Sequence, residues 1–350
     1  MSKINIIVIL GPTSSGKSDL AVKLAKKLES SGKQKSEIIS ADSRQIYKDM
    51  DLGTGKVEGV WKKIKVEELR SKTSQFVRSK ASDKEVFMYE GVPHHIVDFL
   101  EPTTHSSESE KYNVTNFRKD CLQAIDEISA RGNVPILCGG TGFWISALID
   151  NVEFPKVAPN EKLRKELDKK SARELFELLQ RKDPKRAGEI DSENKFRLIR
   201  ALEICEKLGT VPKSKSNPPE HLNFLQIGLD YPVEKLGEKI KKRLASRWTD
   251  GMLKEVTNLK KKYKMNWEEI EAFGLAYYWI PRYLQGKLET SQGDLITDKE
   301  EARNELLERV YFAEKNYAKR QRTWFNRDKR IVWTTDFEEI LRLSKEFLDL

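Results

Sequence analysis

The feature that most constrains this chain is an apolar run followed at once by a glycine-rich loop. Residues 4–10 read INIIVIL, and residues 11–18 read GPTSSGKS, which fits the pattern G-x-x-x-x-G-K-[ST]. An almost wholly apolar run of this length is typical of a buried parallel strand. In such a loop the backbone N–H groups turn inward, and the next helix adds its positive dipole end. The sequence therefore predicts a site for a di- or triphosphate, without deciding whether that ligand is ATP.

Two side chains of this loop would carry the chemistry of the site. Lys17 would neutralise phosphate oxygens, and the Ser18 hydroxyl would bind Mg²⁺. A glycine-rich turn without any ligand is the alternative, and the order of strand, loop and helix argues against it. The predicted phosphate-binding residues are Gly11, Pro12, Thr13, Ser14, Ser15, Gly16, Lys17 and Ser18.

Composition places the chain among globular proteins. It has 350 residues, 38% hydrophobic and 34% charged, enough for a large domain with an insertion or for two domains. No run of about 18 apolar residues occurs, so we expect no membrane span. The first strand begins too early for a leader peptide, so we expect a cytoplasmic protein. Three scattered cysteines suit a reducing compartment and predict no zinc site: Cys121, Cys138 and Cys205.

The charge of the chain points to a polyanionic partner. The formal net charge is +9, and residues 315–330 combine lysines and arginines with Tyr317, Trp324 and Phe325. Basic residues with aromatic residues between them suit a phosphate backbone with bases that stack. An amphipathic helix with a solvated basic face would give the same pattern, so the pattern alone leaves both interpretations open.

Two further strand ends are expected beside residues 11–18, here called the phosphate loop. A helix is predicted from Gly16 to about Glu29, and a short strand over 37–40 ends next to Asp42. A buried strand over 134–138 leads into Gly139, Gly140 and Thr141. Residues beyond the carboxyl ends of parallel strands face the ligand crevice of an open α/β sheet. Asp42 and Thr141 are therefore candidate site residues, although Thr141 would also suit a helix N-cap.

The remaining pattern predicts an α/β fold: a P-loop NTPase-like parallel sheet flanked by helices, with an inserted all-helical subdomain. Residues 155–222 read as polar helices, with a capping box at Ser171–Glu174 and an N-cap at Asp183 before Pro184. A strand follows this segment. The catalytic core would then comprise 1–154 and 223–350. Residues 57–90 are charged and weakly periodic, and we expect a peripheral insertion of unknown role there.

These motifs together resemble the tRNA dimethylallyltransferases, also called tRNA isopentenyltransferases, of the bacterial type. The resemblance is collinear over nearly the whole chain. It is carried by the phosphate loop and by the segments Ser40–Ser43, Ile46–Thr54, His94–Asp98, Phe117–Arg118, Gly139–Thr141, Arg197–Glu203 and Lys319–Phe325.

The resemblance implies a defined reaction and defined roles. A dimethylallyl group would pass from its diphosphate to N6 of the adenosine beside the tRNA anticodon. Asp42 would act as general base, Thr141 would orient the amine, and Arg243 would clamp the diphosphate. From the residues alone, Asp42 would also suit a helix cap or a carboxylate that binds the water ligands of Mg²⁺, and Arg243 would also suit a solvent-facing charge.

The resemblance also implies a set of contacts to the tRNA anticodon stem-loop and a monomeric enzyme. The target adenine would leave the stack of the loop to reach the crevice. The tRNA-binding residues it implies are Asp42, Ser43, Arg44, Gln45, Thr141, Arg164, Phe196, Arg197, Leu198, Ile199, Arg200, Lys319, Arg320, Gln321, Arg322, Thr323 and Trp324, with the last segment reaching Asn326.

Two features depart from the family pattern. Tyr278 stands where a cation is usual, and the 57–90 insertion is longer than expected. The zinc-finger extension of some eukaryotic members does not appear, which favours a bacterial-type enzyme. The rival interpretations are an adenylate isopentenyltransferase acting on free AMP or ADP, a P-loop small-molecule kinase, and a non-catalytic RNA-binding protein.

Overall fold

The computed structural model describes residues 3–32, 34–64, 78–80, 83–103 and 112–350, and these fall into two compact units. The first unit comprises the described parts of Met1–Thr104, Asn116–Ile149 and Pro219–Leu350. The second comprises 112–115 and Asp150–Pro218. The second unit ends at Pro218, whereas the sequence predicted a helical segment that extends to residue 222. The difference arises because Leu222 already lies in a strand of the first unit.

A mixed sheet forms the centre of the first unit, and its described strands number nine. Their order across the sheet is β3-β5-β6-β2-β7-β1-β8-β9, with β4 beside β5. The strands from β6 to β9 are parallel, and those from β3 to β6 pair antiparallel. Their bounds are β1 Ile4–Leu10, β2 Ser36–Ala41, β3 Val60–Ile64, β4 Arg78–Lys80, β5 Asp83–Tyr89, β6 Val92–His95, β7 Val134–Gly139, β8 Leu222–Gly228 and β9 Val332–Trp333.

The central strands are hydrophobic because both of their faces are covered. Every residue of β2 and β7 is buried, as are the last five of β1. Helices pack on the sheet through apolar faces; Leu24 and Leu28 of the first helix are fully buried against Ile7 and Ile136. The helices of this unit are α1 Lys17–Gly32, α2 Val114–Ala130, α3 Gly142–Ile149, α8 Val233–Thr249, α9 Met252–Tyr263, α10 Trp267–Glu271, α11 Ala276–Leu284, α12 Lys299–Phe325 and α13 Phe337–Phe347.

The second unit is helical. It contains α4 Glu161–Leu167, α5 Ala172–Lys182, α6 Pro184–Glu189 and α7 Lys195–Leu208. Both helix starts predicted from the sequence are confirmed: Ser171 and Glu174 form a capping box, and Asp183 caps α6 with Pro184 at its first turn. The second Asp183 carboxylate oxygen accepts from the Val211 N–H at 2.8 Å. Among the described helices of both units, none combines the length and the apolar character that crossing a bilayer requires.

Part of the 57–90 segment extends the sheet. β3, β4 and β5 form an antiparallel edge, and Val86 and Phe87 of β5 are buried. The sequence did not predict these strands because charged residues interrupt their apolar alternation. Residues 65–77 and 81–82 of the same segment lie outside the described residues.

Three buried titratable groups, Glu37, His94 and His95, lie on the neighbouring strands β2 and β6. The Glu37 carboxylate receives His95 Nε2 at 2.6 Å and the Arg131 guanidinium at 2.9 Å. Burial raises the pKa of Glu37, but these two bonds outweigh it and hold the pKa at about 2. Next to this cluster, burial lowers the pKa of His94 to about 4. The hydrogen bond from His94 Nδ1 to the Val92 carbonyl raises this pKa, but by less than burial lowers it. His94 is therefore neutral in the folded protein at any pH well above 4.

His94 makes stability depend on pH. An unfolded chain takes up a proton on this histidine near pH 6.5, whereas the folded chain does so only near 4, so acid favours unfolding between these values. We expect His94 to lower the free energy of unfolding by about 2 kcal/mol between pH 7 and pH 5. Urea unfolding of the wild type and of His94→Asn at both pH values measures this contribution.

The exposed His221 provides the control, since His221→Asn should leave the wild-type difference between the two pH values unchanged. A His94→Asn variant that loses as much stability as the wild type between pH 7 and pH 5 would contradict this account of the buried imidazole.

Candidate active site

The phosphate loop joins β1 to α1 in the conformation that its sequence predicts. Gly16 has a φ of +81°, a left-handed conformation that glycine adopts without strain, and Ser14 has a φ of +63°. Lys17 folds back over the loop, and its Nζ donates to the Pro12 carbonyl at 3.3 Å. The hydroxyls of Ser14 and Ser15 are buried and find no hydrogen-bond partner among the described residues. The Ser14 and Ser15 hydroxyls are therefore available to hydrogen-bond a ligand in the loop.

The charge of Lys17 is sensitive to what the loop holds. Burial lowers its pKa, the nearby Asp42 carboxylate raises it, and Arg243 lowers it further. A diphosphate in the loop would supply negative charge next to a buried ammonium group. Binding of an anion and full protonation of Lys17 should therefore favour each other.

Arg243 lies against the phosphate loop and not in solvent. It projects from α8, and its Nη2 donates to Thr13 Oγ1 at 2.6 Å and to Glu314 at 2.8 Å. Glu314 is only 1% exposed and also accepts from Arg247 at 2.7 Å. One buried carboxylate thus fixes two guanidinium groups and leaves a net positive charge beside the loop.

Asp42 and Thr141 meet at the carboxyl ends of β2 and β7. The Thr141 N–H donates to the Ala41 carbonyl at 3.1 Å, and Thr141 Oγ1 accepts from the Ser43 N–H at 3.0 Å. Thr141 directly precedes α3, where a helix N-cap was an alternative, but its hydroxyl accepts a hydrogen bond from Ser43. The Asp42 carboxylate accepts from the Arg44 N–H at 3.0 Å, and its other oxygen has no hydrogen-bond partner among the described residues.

The register of the strands brings these two residues to the phosphate loop. Gly139 pairs with Ala41 on one side and with Leu10 on the other. A Cβ at Gly139 would lie 2.2 Å from the Ala41 carbonyl oxygen, so only glycine permits this approach.

One side chain of α12 joins the two halves of the site. The Thr13 N–H donates to Gln321 Oε1 at 2.8 Å, and Gln321 Nε2 donates to the Gly140 carbonyl at 2.8 Å. Gln321 is buried, so it holds the phosphate loop at a fixed distance from the turn that carries Thr141. The sequence prediction had assigned Gln321 to tRNA; the structure indicates a positioning role inside the protein.

Other residues of α12 divide between two faces. Glu314 and Tyr317 lie on the inner face with Gln321, and burial together with the Asp42 charge raises the pKa of Tyr317 to about 12. The sequence analysis did not mention Glu314 and named Tyr317 only as an aromatic residue of the basic segment, although their spacing to Gln321 places all three on one helical face. Lys319, Arg320 and Thr323 are exposed on the outer face. Arg322 pairs with Asp230 at 2.9 Å, and Trp324 Nε1 donates to Ser146 at 3.1 Å.

The segment after Asp42 is held by neighbouring loops. The Gln45 side chain donates to the Gly55 carbonyl at 3.0 Å, and the Arg44 guanidinium lies 5.9 Å from the Phe273 ring centroid. Ser43 is fixed by Thr141, as described above. These three residues are partly exposed, and the structure brings them together with Asp42 at one edge of the sheet.

A cation does lie beside Tyr278, where the family pattern expects one. The Arg282 guanidinium lies 4.4 Å from the Tyr278 ring centroid and pairs with Glu271 at 2.9 Å. A residue one helical turn later in α11 thus supplies the positive charge next to the tyrosine.

In the helical unit, the predicted tRNA-binding residues have different environments. Arg164 makes two hydrogen bonds of 3.0 Å to the buried Glu203, which also accepts from Arg200. Phe196 is 87% exposed, and Arg197 is exposed beside it.

Leu198 and Ile199 of the same run are buried in the core of this unit. Their side chains therefore have no surface to offer to RNA, which corrects the expectation that all of residues 196–200 contact it. The residues of α7 differ in exposure because successive side chains of a helix point in different directions, some into the core and some into solvent.

Comparison with known proteins agrees with this geometry. The family model described as IPP transferase matches residues 78–328, and the model described as isopentenyl transferase matches residues 4–105. A tRNA dimethylallyltransferase 2 of Treponema denticola is 36% identical over 93% of this chain and 92% of its own length. A tRNA dimethylallyltransferase of Finegoldia magna is 34% identical over 98% of this chain and 97% of its own length.

Solved structures with a similar fold extend the comparison. The tRNA isopentenylpyrophosphate transferase of Bacillus halodurans matches with a TM-score of 0.59 and 29% identity, covering 99% of this chain and 96% of its own. A eukaryotic dimethylallyltransferase acting on tRNA matches in fold, with a TM-score of 0.69 at 22% identity over 99% of this chain and 80% of its own. The similarity therefore includes the phosphate loop, both strand-end turns and α12, and the chain belongs to the IPP transferase family, that of the tRNA dimethylallyltransferases.

Proposed function

We propose that this protein transfers a dimethylallyl group from dimethylallyl diphosphate to N6 of the adenosine adjacent to the anticodon of a tRNA, releasing diphosphate. Family membership supports tRNA prenylation. The observation that carries the proposal is the adjacency of two sites. A carboxylate and a hydroxyl, from Asp42 and Thr141, end the strands next to a phosphate loop, and Gln321 links the two.

The donor diphosphate would occupy the phosphate loop. Lys17 and Arg243 supply positive charge there. The N–H groups at the start of α1, which have no partner within the helix, would supply hydrogen-bond donors. As the carbon–oxygen bond of the donor breaks, both bonding electrons leave with the diphosphate. These fixed charges stabilise the leaving group as it gains negative charge.

The loop also fits a magnesium ion. The described residues contain no cluster of three or more histidines, cysteines, aspartates or glutamates, so an ion here must take most of its ligands from the substrate and water. The Ser18 hydroxyl would provide the protein ligand, and the unpartnered Ser14 and Ser15 hydroxyls leave polar capacity around it. Mg²⁺ would supply additional neutralisation of the diphosphate charge.

Asp42 is the proposed general base. The exocyclic amine of adenine is a weak nucleophile because its lone pair is delocalised into the ring, so it must lose a proton as the new bond forms. The N6 lone pair forms the carbon–nitrogen bond, and the N6 proton passes to the free Asp42 carboxylate oxygen. Thr141, held by Ser43, would orient the amine.

Each unit would contribute exposed basic residues to tRNA binding. Lys319 and Arg320 project from the outer face of α12, and Arg197 and Phe196 project from α7. Phosphate contacts from such residues set the position of the RNA. Ser43, Arg44 and Gln45 would contact the loop nucleotides. We further propose that the enzyme acts as a monomer in the cytoplasm, where its three free buried cysteines remain reduced.

The first test is a prenylation assay with purified protein, dimethylallyl diphosphate, Mg²⁺ and a tRNA that has adenosine next to its anticodon. We expect prenylated adenosine from the wild type and no product when AMP replaces the tRNA. In Asp42→Asn the proton acceptor is lost, so kcat should fall about 100- to 10,000-fold while tRNA affinity stays within a few-fold of the wild type.

The control for this substitution is Asp126→Asn, which removes an exposed carboxylate of α2 and should leave kcat unchanged. Wild-type protein that prenylates no tRNA, or that prefers free AMP, would refute the proposed function. An Asp42→Asn enzyme with normal kcat would refute only the role of the base.

A second prediction concerns Lys319. If this side chain contacts a tRNA phosphate, Lys319→Ala should weaken tRNA binding and lower the slope of log K against log salt by about one, with kcat at saturating tRNA unchanged. Filter binding over a range of salt concentrations measures both quantities.

Lys299 is the matched control, because it is an exposed lysine of the same helix about 30 Å away along the axis. Equal effects of Lys319→Ala and Lys299→Ala would show that α12 contributes only to the overall charge.

A further inference from the structure

Phe143 is exposed although it lies beside the proposed site of transfer. Among the described residues, three aromatic side chains are more than two-fifths exposed: Phe143 at 46%, Phe196 at 87% and Phe312 at 47%. Phe143 follows Thr141 by two residues at the start of α3. An aromatic ring in such a position leaves apolar surface in water next to a polar site.

The ring has a rigid support. It packs edge-to-face on Trp324, with centroids 6.1 Å apart and planes at 81°. Trp324 is itself fixed by its hydrogen bond to Ser146 and by close approach to Gly142, where a Cβ would come within 2.3 Å of the indole. Phe143 is therefore held in place with part of its surface open to solvent.

Positive charge lies on the same side of α12 as this support. The Arg327 guanidinium lies 5.9 Å from the Trp324 ring centroid, and the exposed Arg320 precedes Trp324 by four residues, which is one helical turn. An exposed ring packed on a tryptophan that has two arginines near it is a combination that suits a base attached to a phosphate backbone. An uncharged apolar partner would gain no electrostatic attraction from these arginines.

We propose that Phe143 is a stacking surface for the nucleobase that neighbours the reactive adenosine in the anticodon loop. This inference rests on the proposed function. When the reactive adenine leaves the stack, the next base loses one of its stacking partners. An aromatic ring two residues from Thr141 replaces that partner, and it thereby holds the loop open while N6 reacts.

The test compares Phe143→Leu, which keeps an apolar side chain, with Phe143→Trp, which keeps an aromatic ring. The RNA is an anticodon stem-loop that carries 2-aminopurine, a fluorescent adenine analogue, next to the reactive adenosine. We expect Phe143→Leu to weaken binding of this RNA about tenfold and to remove the fluorescence change on binding. Phe143→Trp should retain both, and KM for dimethylallyl diphosphate should not change.

Phe312→Leu is the matched control, since Phe312 is equally exposed but lies about 18 Å from Trp324 along α12. Wild-type affinity and fluorescence in Phe143→Leu would overturn the inference. A raised KM for the prenyl donor with unchanged RNA affinity would also overturn it, because the ring would then contact the donor. Prenylation by the wild type is scored separately, so failure of the function and failure of this inference give different results.

Discussion

The site depends on the register of three parallel strands. β2, β7 and β1 end at the same edge of the sheet, and Gly139 in the middle strand pairs with both Ala41 and Leu10. The next residues of each chain segment are therefore neighbours: Asp42, the turn with Thr141, and the phosphate loop. A slip of one residue in any of these pairings would turn the site residues to the other face of the sheet.

The helix α12 adds the second constraint, because its two faces have different partners. On the inner face, Gln321 bonds the phosphate loop and the Gly140 turn, and Glu314 holds Arg243. On the outer face, Lys319 and Arg320 are exposed. Loss of one partner from a buried ion pair such as Arg247–Glu314 costs about 3–5 kcal/mol, so the inner face resists displacement. A tRNA bound to the outer face would thus contact a helix that is anchored at the phosphate loop.

The parts of this structure that the sequence could predict are those marked by short contiguous motifs. The phosphate loop is a contiguous motif, and Asp42 and Thr141 each follow a buried strand, so sequence alone located them. Gln321 was assigned to tRNA and Glu314 was not recognised at all, because polar residues on a basic helix resemble a solvated face. Their partners in α8, in the phosphate loop and at Gly140 reveal the positioning roles. Arg164 and Arg200 were assigned to tRNA contact, and the sequence did not reveal that both donate to the buried Glu203. The edge strand β5 was missed because its charged residues conceal the alternation.

In the proposed mechanism the phosphate loop holds a prenyl diphosphate and not a nucleoside triphosphate. Calorimetric titration of the protein with dimethylallyl diphosphate and with ATP, each in the presence of Mg²⁺, tests it most directly. The account predicts saturable binding of dimethylallyl diphosphate that Lys17→Ala abolishes, and much weaker binding of ATP. Tight binding of ATP without any affinity for the prenyl donor would contradict it.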